Sequence, residues 1–141
     1  MTRSISPRLP LLIDTGLGYQ MNITFTQLVL QNLRMLILTN PGERMMEPSF
    51  GVGIKKVLFE QNTEYAKSEI QAKIRRQVAD YLPYINIIDI SFYDSETNSD
   101  LPDNYLSIVI TFYISPLEEQ QELKIYFDLD NIDNVTGLVP M

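Results

Sequence analysis

With no histidine and no cysteine among its 141 residues, any enzyme built from this chain would have to work with carboxylates, Lys, Tyr, Ser or Thr. That absence removes Cys/His zinc sites, Ser-His-Asp and Cys-His catalysis, and any histidine proton shuttle. Glycoside hydrolysis survives, since it needs one protonated acid in an apolar pocket and a second carboxyl about 5–9.5 Å away. Glu43, Glu47, Glu60 and Glu64 are the candidates. Sequence gives no separations, so no pair among them is selected.

Other chemical patterns fail at their defining positions. Gly51-Val-Gly53 is half of a dinucleotide fingerprint, but Lys56 stands where the third glycine belongs and a loop precedes it. No Gly-Lys-Ser/Thr phosphate loop occurs. Asp94, Glu96, Asn98 and Asp100 have the alternation of a calcium loop, yet Ser99 replaces its glycine and Tyr105 its closing glutamate. No cofactor and no metal are expected. A formal net charge of −7 argues against nucleic acid, which needs clustered positive charge. One basic concentration, Lys67, Lys73, Arg75 and Arg76, reads as a solvated helix face. Absent cysteines leave the redox compartment unconstrained. No secretory signal is visible: Leu9 to Ile13 is short and broken by Pro10. The expectation is a non-membrane protein made in a cytoplasm.

The stretch Thr39 to Gly53 draws the most attention. Asn40-Pro41-Gly42 has tight-turn chemistry, with proline pre-setting φ and glycine accepting a positive φ. Glu43 and Arg44 follow as neighbours of opposite sign. On extended backbone their side chains point to opposite faces, so each is expected to find its own partner. Pro48, Phe50, Gly51 and Gly53 add a stiff entry, an apolar anchor and two flexible joints. The plain reading is a helix-to-helix connector with a solvated charge pair. The functional reading is a fixed loop whose Glu43 and Arg44 are read by a partner.

The elements that position this loop follow from periodicity. Thr24 and Gln27 stand at capping-box spacing before a strongly apolar helix to Leu38, expected as buried core. A short helix is expected over Ile54 to Glu60. Asn62-Thr63 then caps a long helix carrying the ladder Ala66, Ile70, Ile74 and Val78, which Pro83 ends. Three strands follow: Ile85 to Tyr93 with Ile88, Ile90 and Phe92 on one face, then Tyr105 to Ile114, then Leu123 to Leu129. Residues 1–22 are expected as a loose N-terminal arm and 131–141 as a frayed tail. The expected fold is α+β: two main helices plus a short one, packed on one face of a small antiparallel sheet spanning 23–130. The last strand, placed at a sheet edge, is a template for strand addition.

Together, Thr39-x-Pro-Gly-Glu-Arg44, Pro48-x-Phe50-Gly51, Leu58-Phe59-Glu60 and Tyr81-x-Pro83 before a strand opening at Ile85 resemble the baseplate wedge family of contractile phage tails. That family was once described as acidic lysozyme-like and has relatives in type VI secretion and bacteriocin baseplates. The resemblance covers roughly Ile23 to Leu129. It implies a non-enzymatic structural part that joins wedge proteins near the tail tube and starts the sheath by sharing strands with its first ring. Implied partners are other wedge proteins, the sheath subunit and the tube or hub, in a virion tail baseplate assembled in the host cytoplasm. Thr39, Gly42, Glu43, Arg44, Pro48, Phe50 and Gly51 match the loop motif and are the implied contacts. The family often has Glu-Pro-Arg before the first strand as a grip on the wedge core bundle. Here that place reads Leu82-Pro83-Tyr84, so Pro83 and Tyr84 are expected to offer apolar and aromatic contact instead. Strand sharing assigns Leu123, Ile125 and Phe127 to the sheath interface. The old family label also keeps an alternative open, a peptidoglycan hydrolase with Glu43 or Glu60 as general acid. A small adaptor in another assembly is the third reading.

Overall fold

The structure is a computed structural model that describes residues 5–15, 18–55, 64–94, 105–115 and 117–128. Its elements run β1 (Ser6–Pro7), β2 (Ile13–Asp14), β3 (Gly18–Tyr19), β4 (Met21–Asn22), α1 (Phe25–Leu38), α2 (Glu64–Tyr81), β5 (Ile85–Asp94), β6 (Tyr105–Ile114) and β7 (Glu119–Asp128). The expected mixture of helices and antiparallel strands is what the chain forms. Of the expected short helix only Ile54 and Lys55 are described, both helical, and the Asn62-Thr63 cap lies outside the described residues.

α1 starts where its capping box places it. Gln27 N–H donates to the Thr24 hydroxyl at 3.3 Å, and the Gln27 side chain accepts from the Thr24 N–H at 3.4 Å. Two of the orphan donors of the first turn are thereby satisfied. The helix is not buried all round as its composition implies. Val29, Leu33, Leu36 and Ile37 are enclosed, whereas Phe25 and Met35 are exposed. α2 buries its predicted ladder of Ala66, Ile70, Ile74 and Val78.

β5, β6 and β7 form a three-stranded antiparallel sheet with β6 in the middle. Alternation along β6 sends Leu106, Ile108, Ile110, Phe112 and Ile114 into the core. β5 departs from the expected phase. Its register slips between Ile87 and Asp89, leaving Ile88 as the extra residue of a β-bulge and 53% exposed. One inserted residue flips the side-chain phase. Ile85 and Ile87 therefore face inward before the bulge, and Ile90 and Phe92 after it. Two side chains of α2 reach β5 carbonyls: Gln71 Nε2 donates to Ile90 O at 2.9 Å and Arg75 Nη1 to Ile87 O at 3.3 Å.

One apolar cluster joins Leu33 and Ile37 of α1, Ile70 and Ile74 of α2, the inward row of β6, and Leu123, Ile125 and Phe127 of β7. Burying each such side chain stabilises by about 1.5–3 kcal/mol. The described N-terminal residues, 5–15 and 18–22, are folded back where a loose arm was expected. β1 pairs with β4 and β2 with β3, and Gln31 of α1 accepts from Leu9 N–H at 3.0 Å and Asn22 Nδ2 at 2.9 Å.

Candidate partner-binding site

The loop from Thr39 to Gly53 is held at both ends by main-chain bonds. Thr39 ends α1, its N–H and its hydroxyl both donating to Met35 O at 3.0 and 2.6 Å. On the return, Val52 N–H donates to Leu36 O at 3.1 Å and Gly53 N–H to Thr39 O at 3.0 Å. The exit thus lies against the last turn of α1 and supplies partners for carbonyls the helix leaves unpaired.

Inside the loop, Gly42 has φ +91° and donates to Pro48 O at 2.9 Å. Glu43 folds back on Asn40: one carboxylate oxygen accepts from the Asn40 N–H at 3.0 Å and the other from Nδ2 at 2.7 Å. Arg44 lies over the Phe50 ring, 3.9 Å from its centroid. Phe50 is buried and meets Tyr81 edge-on at 5.0 Å. The adjacent charges find separate partners, on a backbone that is bent and not extended at both residues, and both residues remain exposed.

α2 braces the loop from the other side. Gln77 accepts from Gly51 N–H at 3.0 Å and donates to Ser49 O at 3.0 Å. The Tyr81 hydroxyl donates to Glu47 Oε1 at 2.9 Å and lies 2.7 Å from the Ser49 hydroxyl. Gln77 was not among the residues sequence reasoning singled out, and Tyr81 entered it only through the Tyr81-x-Pro83 motif, with no role assigned. Nothing near the loop in sequence points to Gln77, which lies 26 positions from Gly51. Tyr81 carried a signal, as an aromatic on the last turn of a helix.

The bracing leaves a projecting tip. Met45 and Met46 are 94% and 96% exposed, the extreme values among the described large apolar side chains. Sequence reasoning passed over them, although two consecutive methionines at the crest of a Pro/Gly loop are a visible signal. Flexible, polarizable methionine suits a surface that moulds to a partner.

The remaining predicted contacts sit apart. Pro83 is exposed after α2. Tyr84 is half-buried, its ring 6.1 Å from that of Phe25 and its carbonyl accepting from Ser115 N–H at 3.1 Å. Leu123, Ile125 and Phe127 lie inside the chain's own core. Their side chains therefore have no free surface to offer, whereas Glu119 and Gln120 at the start of β7 are exposed. Among the described residues β7 pairs with β6 alone.

The carboxylates proposed for hydrolysis are engaged in structure. Glu43 and Glu47 hold the loop, Glu64 pairs with Lys67 at 3.1 Å, and Glu60 lies outside the described residues. Among the described residues no three acidic side chains come together as a metal site. The basic face of α2 is largely spoken for. Lys67 also meets Asp94 at 3.7 Å, Lys73 meets Glu69 at 3.2 Å, and Arg75 reaches β5.

The loop is thus fixed between α1 and α2, with its charged and methionine side chains facing solvent. The family model for baseplate wedge protein gp25 matches residues 24–116. The chain belongs to that baseplate wedge family. β7 lies beyond the matched residues. Two solved structures share the fold. A chain of the anti-feeding prophage baseplate, determined by cryo-electron microscopy with six-fold symmetrisation, is 25% identical with a TM-score of 0.62, over 76% of this chain and 82% of that one. A Geobacter sulfurreducens protein provisionally named a tail lysozyme is 19% identical, also at 0.62, over 77% of this chain and 94% of that one. No curated protein sequence matches the chain.

Proposed function

We propose that this chain is a structural, non-enzymatic component of a contractile tail baseplate, where it joins neighbouring wedge proteins near the tail tube and offers the edge of β7 to the sheath subunit. Membership of the wedge family across residues 24–116 carries this reading. Residues 23–130 act as the wedge domain, with 1–22 as an arm and 131–141 as a tail. The Thr39–Gly53 loop is the wedge contact, with Met45 and Met46 entering the partner and Arg44, Pro48 and Phe50 supporting them. Pro83 and Tyr84 form a second, apolar contact. The flank of β7 that no described strand pairs with is the sheath contact, since an exposed strand edge gives main-chain hydrogen bonds to an added strand. Assembly takes place in the host cytoplasm, and the finished copy resides in the tail.

The strand-sharing step is tested with proline. Substitution at Ile125 would remove a core side chain as well as an N–H, so it confounds folding with assembly. Gln121 and Glu122 are partly exposed neighbours on β7. Outward N–H groups alternate along an antiparallel strand, so one of Gln121→Pro and Glu122→Pro leaves the β6–β7 ladder whole. The variant that keeps the wild-type thermal midpoint is then placed in particles. Baseplates that form without sheath are the expected image; full-length sheaths on that variant would remove β7 from the interface.

A further inference from the structure

A groove of about 380 Å³ runs between the N-terminal strands and α1. Leu9 forms one wall, Leu30, Arg34, Met35 and Leu38 the other, and Arg8 lies at the rim. Gln31 ties the walls together, accepting from Leu9 N–H and Asn22 Nδ2 and donating to Pro7 O at 3.2 Å. The groove is therefore built into the fold and not opened by a stray side chain.

Its charge is out of keeping with the chain around it. Acidic residues outnumber basic ones 18 to 11. Yet the ion pairs among the described residues use Lys67, Lys73 and Lys124, never Arg8 or Arg34. Arg34 is half-buried, is the one charged residue of α1, and forms no hydrogen bond or ion pair among the described residues. Its nitrogens keep solvent contact, since Asn40 Oδ1 is the one described side-chain polar atom both fully enclosed and unpartnered. Burial pushes the Arg34 guanidinium below its ordinary value by stripping solvent from the charged form. Arginine nevertheless stays charged at neutral pH, so the cation is held beside apolar surface with solvent but no counter-charge among the described residues to meet it.

We propose that this groove docks a segment of a partner protein carrying an Asp or Glu carboxylate between apolar side chains. The carboxylate meets Arg34 through the guanidinium fork, which matches two oxygens at once. The flanking side chains cover Leu30, Met35 and Leu38. A groove of this volume, apolar with a few polar groups, has the character of a binding cleft. The inference stands on the groove and does not depend on the baseplate reading.

The test titrates the full ¹⁵N-labelled chain with the acetylated, amidated tripeptide Leu-Glu-Leu, its Leu-Gln-Leu counterpart, and inorganic phosphate, following the amides of α1. Leu-Glu-Leu should shift Leu30 to Leu38 saturably, with a Kd on the order of 1–10 mM. Leu-Gln-Leu and phosphate should each bind about 10-fold more weakly. Arg34→Met and Arg34→Gln should each lose the preference for Leu-Glu-Leu. Equal binding of the two tripeptides to the unmodified chain, tighter binding of phosphate, or no saturable shift at all would each overturn the proposal without recourse to a variant.

Discussion

The carbonyl oxygen of Thr39 stands 2.3 Å from where a Cβ on residue 51 would lie, so Gly51 and Thr39 fit together only while residue 51 has no side chain. Gly51 also has φ +114°, outside the range open to other residues. Gly42 makes the informative contrast, since its φ is +91° but nothing lies within 4 Å of its added Cβ. Gly42→Ala should cost about 1–2 kcal/mol from backbone strain alone. Gly51→Ala should cost more, because the clash is with backbone and cannot be relieved by a rotamer. Paired chemical denaturation curves decide it; equal midpoints for the two variants would contradict the packing at Thr39.

Gln77 satisfies the Gly51 N–H and the Ser49 carbonyl from a different helix. Gln77→Leu keeps much of the volume and removes both bonds. Leaving a part-buried donor unpaired costs about 1–3 kcal/mol. The Gly51 amide should also lose protection in hydrogen exchange, while the α2 amides keep theirs. Unchanged protection at Gly51 would mean that the loop is held without Gln77.

Arg44 over Phe50 is an exposed cation–π contact, worth about 0.5–1 kcal/mol. A double-mutant cycle with Arg44→Gln and Phe50→Leu should return a coupling of that size. Coupling near zero would show that Arg44 is free to face solvent or a partner. Phe50→Leu alone should cost more, because it also removes the edge-on contact with Tyr81.

Ile88 and Ile90 are two positions apart on β5 with opposite fates. Ile90→Ala empties a buried site and should cost about 2–5 kcal/mol. Ile88→Thr changes an exposed bulge residue and should stay within about 0.5 kcal/mol. Thermal midpoints read the difference directly, and a large loss at Ile88 would rule out the bulge register.

Met45→Gln with Met46→Gln should leave stability within about 0.5 kcal/mol, since neither side chain packs on the fold. If the tip enters a wedge partner, the same double variant should fail to join baseplate intermediates in a sedimentation assay. Normal incorporation would take the loop tip out of the interface.

Where sequence reasoning succeeded, local chemistry and global packing agreed. Thr24 and Gln27 announce their capping box three residues apart, and β6 alternates without a break from Leu106 to Ile114. The class of helices and antiparallel strands followed, as did the family resemblance. It failed where the deciding partner is remote. Ile87 and Ile88 fit either side-chain phase, and only pairing with Phe112 and Thr111 of β6 fixes which one is extruded. The N-terminal strands are too short to show a period, and their anchor, Gln31, reads as an ordinary polar residue on α1. Leu123, Ile125 and Phe127 were placed on the right strand, but an alternating pattern cannot say whether its apolar face meets its own core or a neighbour's.

The two flanks of the three-stranded sheet are not equivalent. On β5 the bulge at Ile88 and the side chains of Gln71 and Arg75 on the main chain interrupt any regular ladder that a newcomer might form. β7 runs ten residues in unbroken register with β6. If β7 accepts a strand as proposed, the sheet has a polarity: growth is possible at the β7 flank and is blocked at the β5 flank, so one copy takes up one ribbon and passes none on.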